Sequence, residues 1–486
     1  MARIVILGAG ISGHTVARYL SKWVSKKHEV CVVSPKAKWN WIPSNVWVGC
    51  GEMKKEQVTF ELAPVYKKAG VKFFQAKALS VHPEGDGSRA RPFVRIEYTD
   101  TARNGQSEDL EYDFLVNATG PKLNFDGTPG LGPEKGYTTS VCTWEHAEEA
   151  NHRLQDCIAA MKKGERRRFV IGTGHGMCTC QGAAFEYLFN VDHALRRAGV
   201  RDKGEITWIS NEYELGDFGM GGVHITRGGY VTNGKVFAES LMVERGVSWI
   251  TRAAVNKIEP DKLYYETLDG SEGELDFDFA MLIPPFAGVG LKAFDKGGAD
   301  ITGDVFAPNG FMKVDADYQP KAFEEWSKHD WPKTYESPKY KNVFAVGIAF
   351  APPHPISKVM KNPKGTQISP TPPRTGMPSA AIGKTVAANI RDILNGKADK
   401  PIHTASMAEM GAACVASTGS HILKGSAATM TVYPVVPDYE TYPEYGRDMS
   451  LTFGEVGLAG HWMKWILHYA FMYQAQLKPG WSIMPD

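Results

Sequence analysis

The chain has 486 residues, 43% of them hydrophobic and 22% charged, which is the composition of an ordinary folded protein with two or three domains. A formal net charge of +1 gives no electrostatic basis for binding nucleic acid, so we expect no such partner. The sequence contains no apolar run of roughly 18 residues, so no transmembrane helix is predicted. A strand-like stretch begins at Ala2, so no signal peptide is expected either.

The first predicted elements are a strand, a glycine-rich turn and a helix, in the sequence RIVILGAGISGHTVARYL. Gly8, Gly10 and Gly13 form the pattern GxGxxG between a buried apolar strand and an amphipathic helix. Gly8 permits the tight turn, Gly10 lets the backbone approach a pyrophosphate, and Gly13 allows close packing of the helix. The helix N-terminus stabilises the phosphate charge, so we expect a dinucleotide-binding domain here.

Three further apolar stretches complete this domain. The second predicted strand, HEVCVVSP, ends near Ser34, where such folds commonly carry an acid that binds the ribose. The ribose must therefore be held differently. A buried strand with the sequence DFLVNATG ends in Thr119 and Gly120, and a last strand, KNVFAVGIAF, contains Gly347.

A second strand-turn-helix unit begins at ERRRFVIGTGHG, and FDFAMLIPPFAG is its predicted exit strand. Because this unit lies between strands of the first domain, we expect an α/β fold with two Rossmann-like domains, the second inserted in the first. The predicted boundaries are 1–125 and 300–398 for the first domain, 126–299 for the second, and 399–486 for a C-terminal region.

The C-terminal region differs in character from the two domains before it. A proline-rich extended loop at 351–378 and a helix at 379–394 are predicted ahead of it. The segment AGHWMKWILHYAFMYQAQLKPGW (459–481) has aromatic and aliphatic residues at helical spacing beside basic residues, which is typical of a helix in a membrane interface. A helix packed on the protein's own core or on a partner subunit is the alternative. We expect a peripheral membrane protein on the cytoplasmic face, and a homo-oligomer.

The seven cysteines are odd in number, and their spacing matches neither a disulfide scaffold nor a zinc site. Cys178 and Cys180 stand at the start of the helix after the second glycine-rich turn, where the helix dipole is expected to lower the thiol pKa. A disulfide between them would be strained, because their Cα atoms are about 6 to 7 Å apart in an extended chain. The pair predicts redox or thiol chemistry. The cysteines interpreted as structural are Cys31, Cys50, Cys157 and Cys414.

Glu186 lies six residues after Cys180 on the same predicted helix. A partly buried carboxylate at this place would relay protons between the sulfur site and solvent. A solvated or salt-bridged glutamate is the alternative, and the spacing leaves both open.

Over nearly its full length the chain resembles the sulfide:quinone oxidoreductases, a family of flavoproteins with two dinucleotide-binding domains. The stretches that carry the resemblance are WIPSNVWVGCGEMKKEQV, ATGPKLNF followed by PGLGP, CQGAAFEYLFNVDHALRR and TPPRTGMPSAAIGKTVAANI. The resemblance implies that FAD in the first domain passes two electrons from sulfide to a membrane quinone. It also implies that a cysteine pair lies on one flavin face and the quinone on the other.

The resemblance assigns the cysteines as well. Cys142 and Cys180 match two of the family's three cysteines, and Cys178 is an addition. The third, expected at Ala349 or Phe350, is absent. Either Cys178 or Cys142 then replaces it, or the reaction uses one cysteine. A further alternative is that Cys142 supplies a thioether to the flavin.

The motifs and the resemblance together assign a set of residues to FAD. Arg374 stands where the family commonly has lysine, which keeps a positive charge near the pyrimidine ring of the flavin but changes its geometry. The full set is Gly8, Gly10, Gly13, Ser34, Thr119, Gly120, Gly347, Arg374, Thr375 and Gly376.

Two other functions remain open. A type II NADH:quinone oxidoreductase would bind NADH at the second glycine-rich turn. The cysteine pair crowds that turn, and Glu212, after the next strand, is a poor fit for the acid that binds ribose. A non-catalytic flavoprotein that handles sulfur is the other alternative, because the third cysteine is missing.

Overall fold

A computed structural model describes residues 1–374 and 376–484 and has the expected α/β architecture. The α-helices of the described residues are α1 Ile11–Trp23, α2 Asn45–Val48, α3 Lys55–Val58, α4 Leu62–Ala69, α5 Trp144–Lys162, α6 Gln181–Arg197, α7 Gly234–Arg245, α8 Thr302–Val305, α9 Gly376–Leu394 and α10 Leu458–Ala475. The first twelve strands are β1 Arg3–Leu7, β2 Glu29–Ser34, β3 Lys38–Asn40, β4 Thr59–Glu61, β5 Lys72–His82, β6 Phe93–Tyr98, β7 Ser107–Glu111, β8 Phe114–Asn117, β9 Lys122–Leu123, β10 Arg167–Thr173, β11 Gly204–Ile209 and β12 His224–Arg227. The others are β13 Tyr230–Asn233, β14 Val247–Ile250, β15 Ala253–Ile258, β16 Lys262–Thr267, β17 Glu272–Asp276, β18 Phe279–Ile283, β19 Phe286–Ala287, β20 Lys292–Ala293, β21 Val343–Ala345, β22 Ala412–Gly419, β23 Ser426–Val432 and β24 Phe453–Gly457.

The largest sheet has the strand order β21-β8-β1-β2-β5-β6-β7, with β20 added beside β5. In this order the first five strands, β21, β8, β1, β2 and β5, are parallel to one another. Strands β6 and β7 pair antiparallel with their neighbours. The central strand β1 is apolar and almost entirely buried, as a strand covered on both faces must be. Because β21 pairs with β8, the chain returns to this sheet after the second unit, which confirms that the second unit is inserted in the first.

The second sheet is parallel, with the order β14-β11-β10-β18, and a separate antiparallel sheet of β15, β16 and β17 lies in the same part of the chain. Strand β10 leads into the second glycine-rich turn, and α6 follows that turn. Strand and helix therefore flank both turns, as the sequence predicts.

A third sheet, with the order β13-β12-β24-β23-β22, joins two distant parts of the chain. Its hairpin of β12 and β13 comes from the range predicted for the second domain, and its other strands come from the C-terminal region. Helix α10 packs against β22 and β23. The predicted domain boundaries stay a prediction, since this sheet crosses one of them.

Some predicted elements differ in length from the observed ones. The last strand of the first domain is only Val343–Ala345, because Gly347 takes φ +63° and starts a short 3-10 turn. Helix α9 begins at Gly376, and Pro378 lies in its first turn. Backbone N–H groups in the first turn have no acceptor within the helix, so proline removes no helical hydrogen bond there. Helix α10 ends at Ala475, just before Leu477 with φ +51°, so the predicted helix over 459–481 is too long. In the described part of the chain, no helix is both long and apolar enough to cross a bilayer.

Candidate active site

The first glycine-rich turn joins β1 to α1 and leaves the start of α1 open. A Cβ atom at Gly8 (φ +104°) would lie 2.1 Å from the carbonyl oxygen of Ala118, and one at Gly13 would lie 2.1 Å from that of Gly8. At Gly10 (φ −70°) a Cβ atom would meet no described atom within 4 Å. No side chain caps α1, so its first N–H groups are free to bind an anion. The turn therefore fits the pyrophosphate of a dinucleotide.

Other residues assigned to FAD lie at the carboxyl ends of the same strands. Thr119 follows β8, and its hydroxyl donates to the Asn117 side chain at 2.8 Å. Gly120 has φ +70° and open space where a Cβ would stand. Ser34 ends β2, and its buried hydroxyl donates to the carbonyl oxygen of Lys36 at 3.2 Å. The hydroxyl of Ser34 is thus used in a hydrogen bond within the turn that follows β2.

Two more glycines bring the start of α9 against the start of α1. A Cβ atom at Gly347 would lie 2.2 Å from Oγ of Ser12, and one at Gly376 would lie 3.5 Å from Cδ1 of Ile11. Thr375, which was assigned to the flavin, lies outside the described residues. The N-termini of two long helices therefore meet beside the first glycine-rich turn, where both favour negative charge.

Three cysteines come together around the second glycine-rich turn. Cys142, Cys178 and Cys180 are within electrostatic range of one another, and all are free thiols. Cys178 is fully buried, and its Sγ donates to the carbonyl oxygen of Ile283 at 3.1 Å. Cys142 and Cys180 are only half-buried. The pair Cys178 and Cys180 is thus divided into an inward thiol and an accessible one.

The thiol pKa values contradict the expectation from the helix dipole. Burial raises the pKa of Cys142 to about 11 and that of Cys180 to about 12, and it raises the pKa of Cys178 well above its usual range. The free-energy cost of removing a thiolate from water exceeds the stabilisation that the helix N-terminus gives it. Cys142 and Cys180 are therefore desolvated, although each residue keeps some exposed surface.

The segment before α9 covers the second glycine-rich turn. The backbone N–H of Ser369 donates to the carbonyl oxygen of Gly176 at 2.9 Å, and that of Thr371 donates to the carbonyl oxygen of Cys178 at 3.1 Å. A Cβ atom at Gly176 would lie 2.1 Å from the carbonyl oxygen of Gln367. The backbone approach that a dinucleotide would need is therefore taken by the chain itself.

Glu212, weighed as a ribose-binding acid, points into the protein. It is 0% exposed and accepts hydrogen bonds from Oγ of Ser210 at 2.6 Å and from the N–H of Phe218 at 2.8 Å. Burial raises its pKa to about 8. A neutral, inward carboxyl group is a poor partner for a ribose.

Glu186 is part of a buried ion pair. Nζ of Lys464, on α10, contacts Oε1 of Glu186, and the N–H of Ser417 donates to the same oxygen at 3.0 Å. Nζ of Lys464 also donates to the carbonyl oxygen of Val415 at 2.9 Å. Burial raises the pKa of Glu186. Of the two alternatives for Glu186, the structure contains the salt bridge, and a relay role stays a prediction.

Helix α10 has its apolar face outward and its basic face inward. Lys464 is buried with His461 and His468, and Nδ1 of His468 lies 2.8 Å from Oγ of Ser44. Residues expected to flank the apolar stripe at a water interface are thus inside. The large apolar side chains exposed on this helix are Trp462, Met463, Trp465, Ile466, Leu467 and Tyr469.

Sequence reasoning missed two residues of this site. Cys414, interpreted as structural, lies on β22 within electrostatic range of Cys180 and Glu186. No local pattern distinguishes it, because the contact is made by a strand that lies more than two hundred residues away. Lys464 was visible in the sequence, since His461, Lys464 and His468 repeat at helical spacing and so predict a polar face.

Comparison with known proteins gives a consistent family. Residues 2–205 match the family described as pyridine nucleotide-disulphide oxidoreductase. The chain is 30% identical to the sulfide-quinone reductase of Aquifex aeolicus over 439 residues, which cover 90% of this chain and 85% of that protein. The crystal structure of the sulfide:quinone oxidoreductase from Aquifex aeolicus matches with a TM-score of 0.76, covering 98% of this chain and 92% of that one.

NDH2 from Plasmodium falciparum, solved in complex with NADH, shares the fold alone, at 14% identity and a TM-score of 0.63. Its coverage is as full as that of the Aquifex structure, 98% of this chain and 96% of that one. The two relatives differ in sequence identity to this chain, which is 30% for the Aquifex protein and 14% for NDH2. The protein belongs to the sulfide-quinone reductase family.

Proposed function

We propose that the protein is an FAD-dependent sulfide:quinone oxidoreductase, which oxidises sulfide to sulfane sulfur or polysulfide and passes the electrons to a membrane quinone. A flavin follows from the family, and FAD is the form that the first glycine-rich turn fits. The observation that carries the proposal is the second turn, which is covered by residues 369 and 371 and brings Cys180 within electrostatic range of Cys142 and Cys178.

The residues that would hold FAD are those around the open start of α1. Gly8 and Gly13 let β1, β8 and α1 approach, Gly10 leaves room for the pyrophosphate, and Gly120, Gly347 and Gly376 extend the open cradle. When bound, the flavin supplies acceptance and release of two electrons. The chain supplies position, charge and exclusion of water.

Cys180 is the proposed sulfur-binding thiol, with Cys142 as its neighbour. Both residues are only half-buried, and the raised pKa of each means that a nearby positive charge or base must favour the thiolate. Cys178 has its Sγ engaged with Ile283 and no exposed surface, so we assign it to packing rather than to the redox pair.

We further propose that the outer face of α10 lies in a membrane interface. Trp462 donates from Nε1 to the carbonyl oxygen of Ile422 at 2.8 Å, which joins the exposed Ile422 and Leu423 to the apolar face of the helix. A face of this size and composition is typical of membrane or protein contact. The cytoplasmic side and assembly into a homo-oligomer stay predictions of the sequence.

Liposome flotation tests the membrane assignment. Replacing Ile422 and Leu423 by serine should lower the fraction of protein that floats with anionic vesicles, because exposed apolar area is lost. Serine at Val236 and Val243, exposed on α7, is the matched control. Equal flotation of both variants and the wild type would contradict the assignment.

Anaerobic mixing tests the reaction. Sulfide should bleach the flavin absorbance, and a short-chain quinone should restore it. NADH should not bleach it, because residues 367–374 occupy the approach to the second turn. Bleaching by NADH would favour the NADH:quinone oxidoreductase, and bleaching by neither would favour a non-catalytic flavoprotein.

A further inference from the structure

Arg374 is a buried cation beside the turn that carries Cys180. The residue is 5% exposed, and within residues 1–374 and 376–484 it forms no salt bridge with a carboxylate. Its Nη1 atom donates to the carbonyl oxygens of Ile348 at 2.8 Å and Phe350 at 2.5 Å. Its guanidinium carbon lies 4.4 Å from the ring centroid of Phe311. Carbonyl dipoles and a ring face offset only part of the cost of burying a full charge.

The other donors of this guanidinium are unused by the described residues. A guanidinium has five N–H donors, and only those on Nη1 have acceptors in the described part of the chain. A buried arginine with unused donors and no carboxylate partner among the described residues is suited to bind an anion.

The backbone brings Arg374 to Cys180. The N–H of Thr371 donates to the carbonyl oxygen of Cys178, and Oγ1 of Thr179 donates to the carbonyl oxygen of Pro372 at 3.4 Å. These bonds hold the segment that ends at Arg374 against the turn that ends at Cys180. Arg374 and Cys180 are accordingly within electrostatic range of each other.

The backbone of Cys180 is itself unusual. Its φ of +64° is in the left-handed region, which costs a non-glycine residue about 1 kcal/mol. Cys180 also precedes the first turn of α6, a helix of 17 residues whose free N–H groups favour negative charge. Cys180, with its strained backbone, therefore stands at a helix N-terminus and within electrostatic range of a guanidinium with unused donors.

We propose that Arg374 binds the hydrosulfide anion and holds it beside the sulfur of Cys180. This inference rests on the proposed function of Cys180 and names the group that attracts the substrate there. It also moves Arg374 from the flavin, where the sequence resemblance places it, to the sulfur site. Among the groups near Arg374, Tyr318 and Cys180 are the ones that could carry negative charge, and the hydroxyl of Tyr318 already donates to the carbonyl oxygen of Ala351 at 2.9 Å.

Alkylation of the flavin-loaded enzyme tests the anion site without using turnover. Iodoacetate is a monoanion and iodoacetamide is neutral, so the ratio of their rates at Cys180, read by peptide mass spectrometry, reports a cation beside that sulfur. Arg374→Gln should lower this ratio about tenfold, the value of one charge-assisted hydrogen bond. Arg374→Lys should give an intermediate ratio, because lysine keeps the charge but not the fork of donors.

Two controls keep the result specific. Arg447→Gln removes another buried guanidinium that donates only to carbonyl oxygens, and it should leave the ratio at Cys180 unchanged. In the wild type, bromide at constant ionic strength should slow alkylation by iodoacetate and not by iodoacetamide. This second measurement needs no variant and so stands even if Arg374→Gln does not fold.

The outcomes separate this inference from the proposed function. An unchanged ratio in both Arg374 variants, with no effect of bromide, overturns the anion site even if sulfide bleaches the flavin. A lowered ratio supports it, and the sulfide concentration for half-maximal bleaching should then rise about tenfold in Arg374→Gln and by less in Arg374→Lys. If sulfide bleaches no form of the enzyme, the proposed function fails, while the alkylation ratio still reports on Arg374.

Discussion

The two glycine-rich turns begin from similar sequences and end in different sites. The first, GAGISG, leaves open space at Gly10 and free N–H groups at the start of α1. The second, GTGHGMC, is covered by backbone hydrogen bonds from Ser369 and Thr371. Its helix begins after Cys180 rather than after a glycine. A strand-turn-helix motif thus determines a backbone geometry, while the chain that packs over the turn determines its ligand.

The largest expected effect separates the two cysteines of the second turn. Cys180→Ser should slow bleaching by sulfide by about 10⁴-fold, because a serine hydroxyl is a far weaker nucleophile. Cys178→Ser should bleach at close to the wild-type rate, since its hydroxyl can still donate to Ile283. Anaerobic stopped-flow absorbance measures both. If the Cys178 variant is the inactive one, the inward and accessible thiols have been assigned the wrong way round.

The next effect compares the same substitution in both turns. Gly10→Val should fold normally and bind FAD about 10³-fold more weakly, because its side chain meets open space in the protein but fills the place of the pyrophosphate. Gly176→Val should instead lose about 1 to 3 kcal/mol of unfolding free energy, because its Cβ would overlap the carbonyl oxygen of Gln367.

Cofactor content after dialysis and urea unfolding distinguish the two Gly variants. The comparison fails if Gly10→Val keeps its flavin. It also fails if Gly176→Val unfolds like the wild type and binds NADH.

A smaller effect concerns the helix that follows the second turn. Lys464→Met should lower the unfolding free energy by about 3 kcal/mol, because the carboxylate of Glu186 stays buried without its partner. Adding Glu186→Gln should recover most of that loss. Lys339→Met, from an exposed pair with Asp304, is the control and should cost well under about 1 kcal/mol. Equal stability of the single and double variants would mean that the pair is not the source of the loss.

The smallest effect, about 1 kcal/mol for each pH unit, is a pH dependence at Glu212. Its pKa of about 8 in the folded protein lies above its ordinary 4.5, so the folded state binds this proton more tightly than the unfolded chain does. Stability is therefore greatest below pH 4.5 and falls as the pH rises toward 8, by roughly 1 kcal/mol per unit. Glu212→Gln should flatten this slope in urea unfolding. Glu205→Gln, exposed on β11 just before Glu212 in the chain, is the control. A slope left intact in Glu212→Gln would refute the assignment.

Local patterns predicted the elements well where the residues that form them are neighbours in the chain. Gly8, Gly10 and Gly13 predict the first turn because their spacing belongs to a single strand-turn-helix unit. The contact that requires glycine at position 8 is made with Ala118, far along the chain. The start of α9 was less predictable, since its first turn tolerates Pro378. The end of α10 was less predictable as well, since the helix stops at Ala475, before the positive φ of Leu477.

The candidate site was predicted in part. Cys142 and Cys180 were named from the sequence, and the structure brings them together. The pKa change predicted for Cys178 and Cys180 had the wrong direction, because burial depends on the whole fold while the helix dipole is a local feature. Cys414 was missed for the same reason, since it reaches Cys180 only through packing of β22 against α6.

The sequence by itself determined the two Rossmann-like units and their order, since these depend on apolar periodicity and on glycines at fixed spacing. The family was indicated by the resemblance of longer stretches to known proteins. The tertiary structure decided which cysteine is fully buried, which face of α10 is exposed, and that Arg374 is buried within electrostatic range of Cys180. Each of these depends on contacts between residues far apart in the chain and on the removal of side chains from water. A local sequence pattern predicts neither.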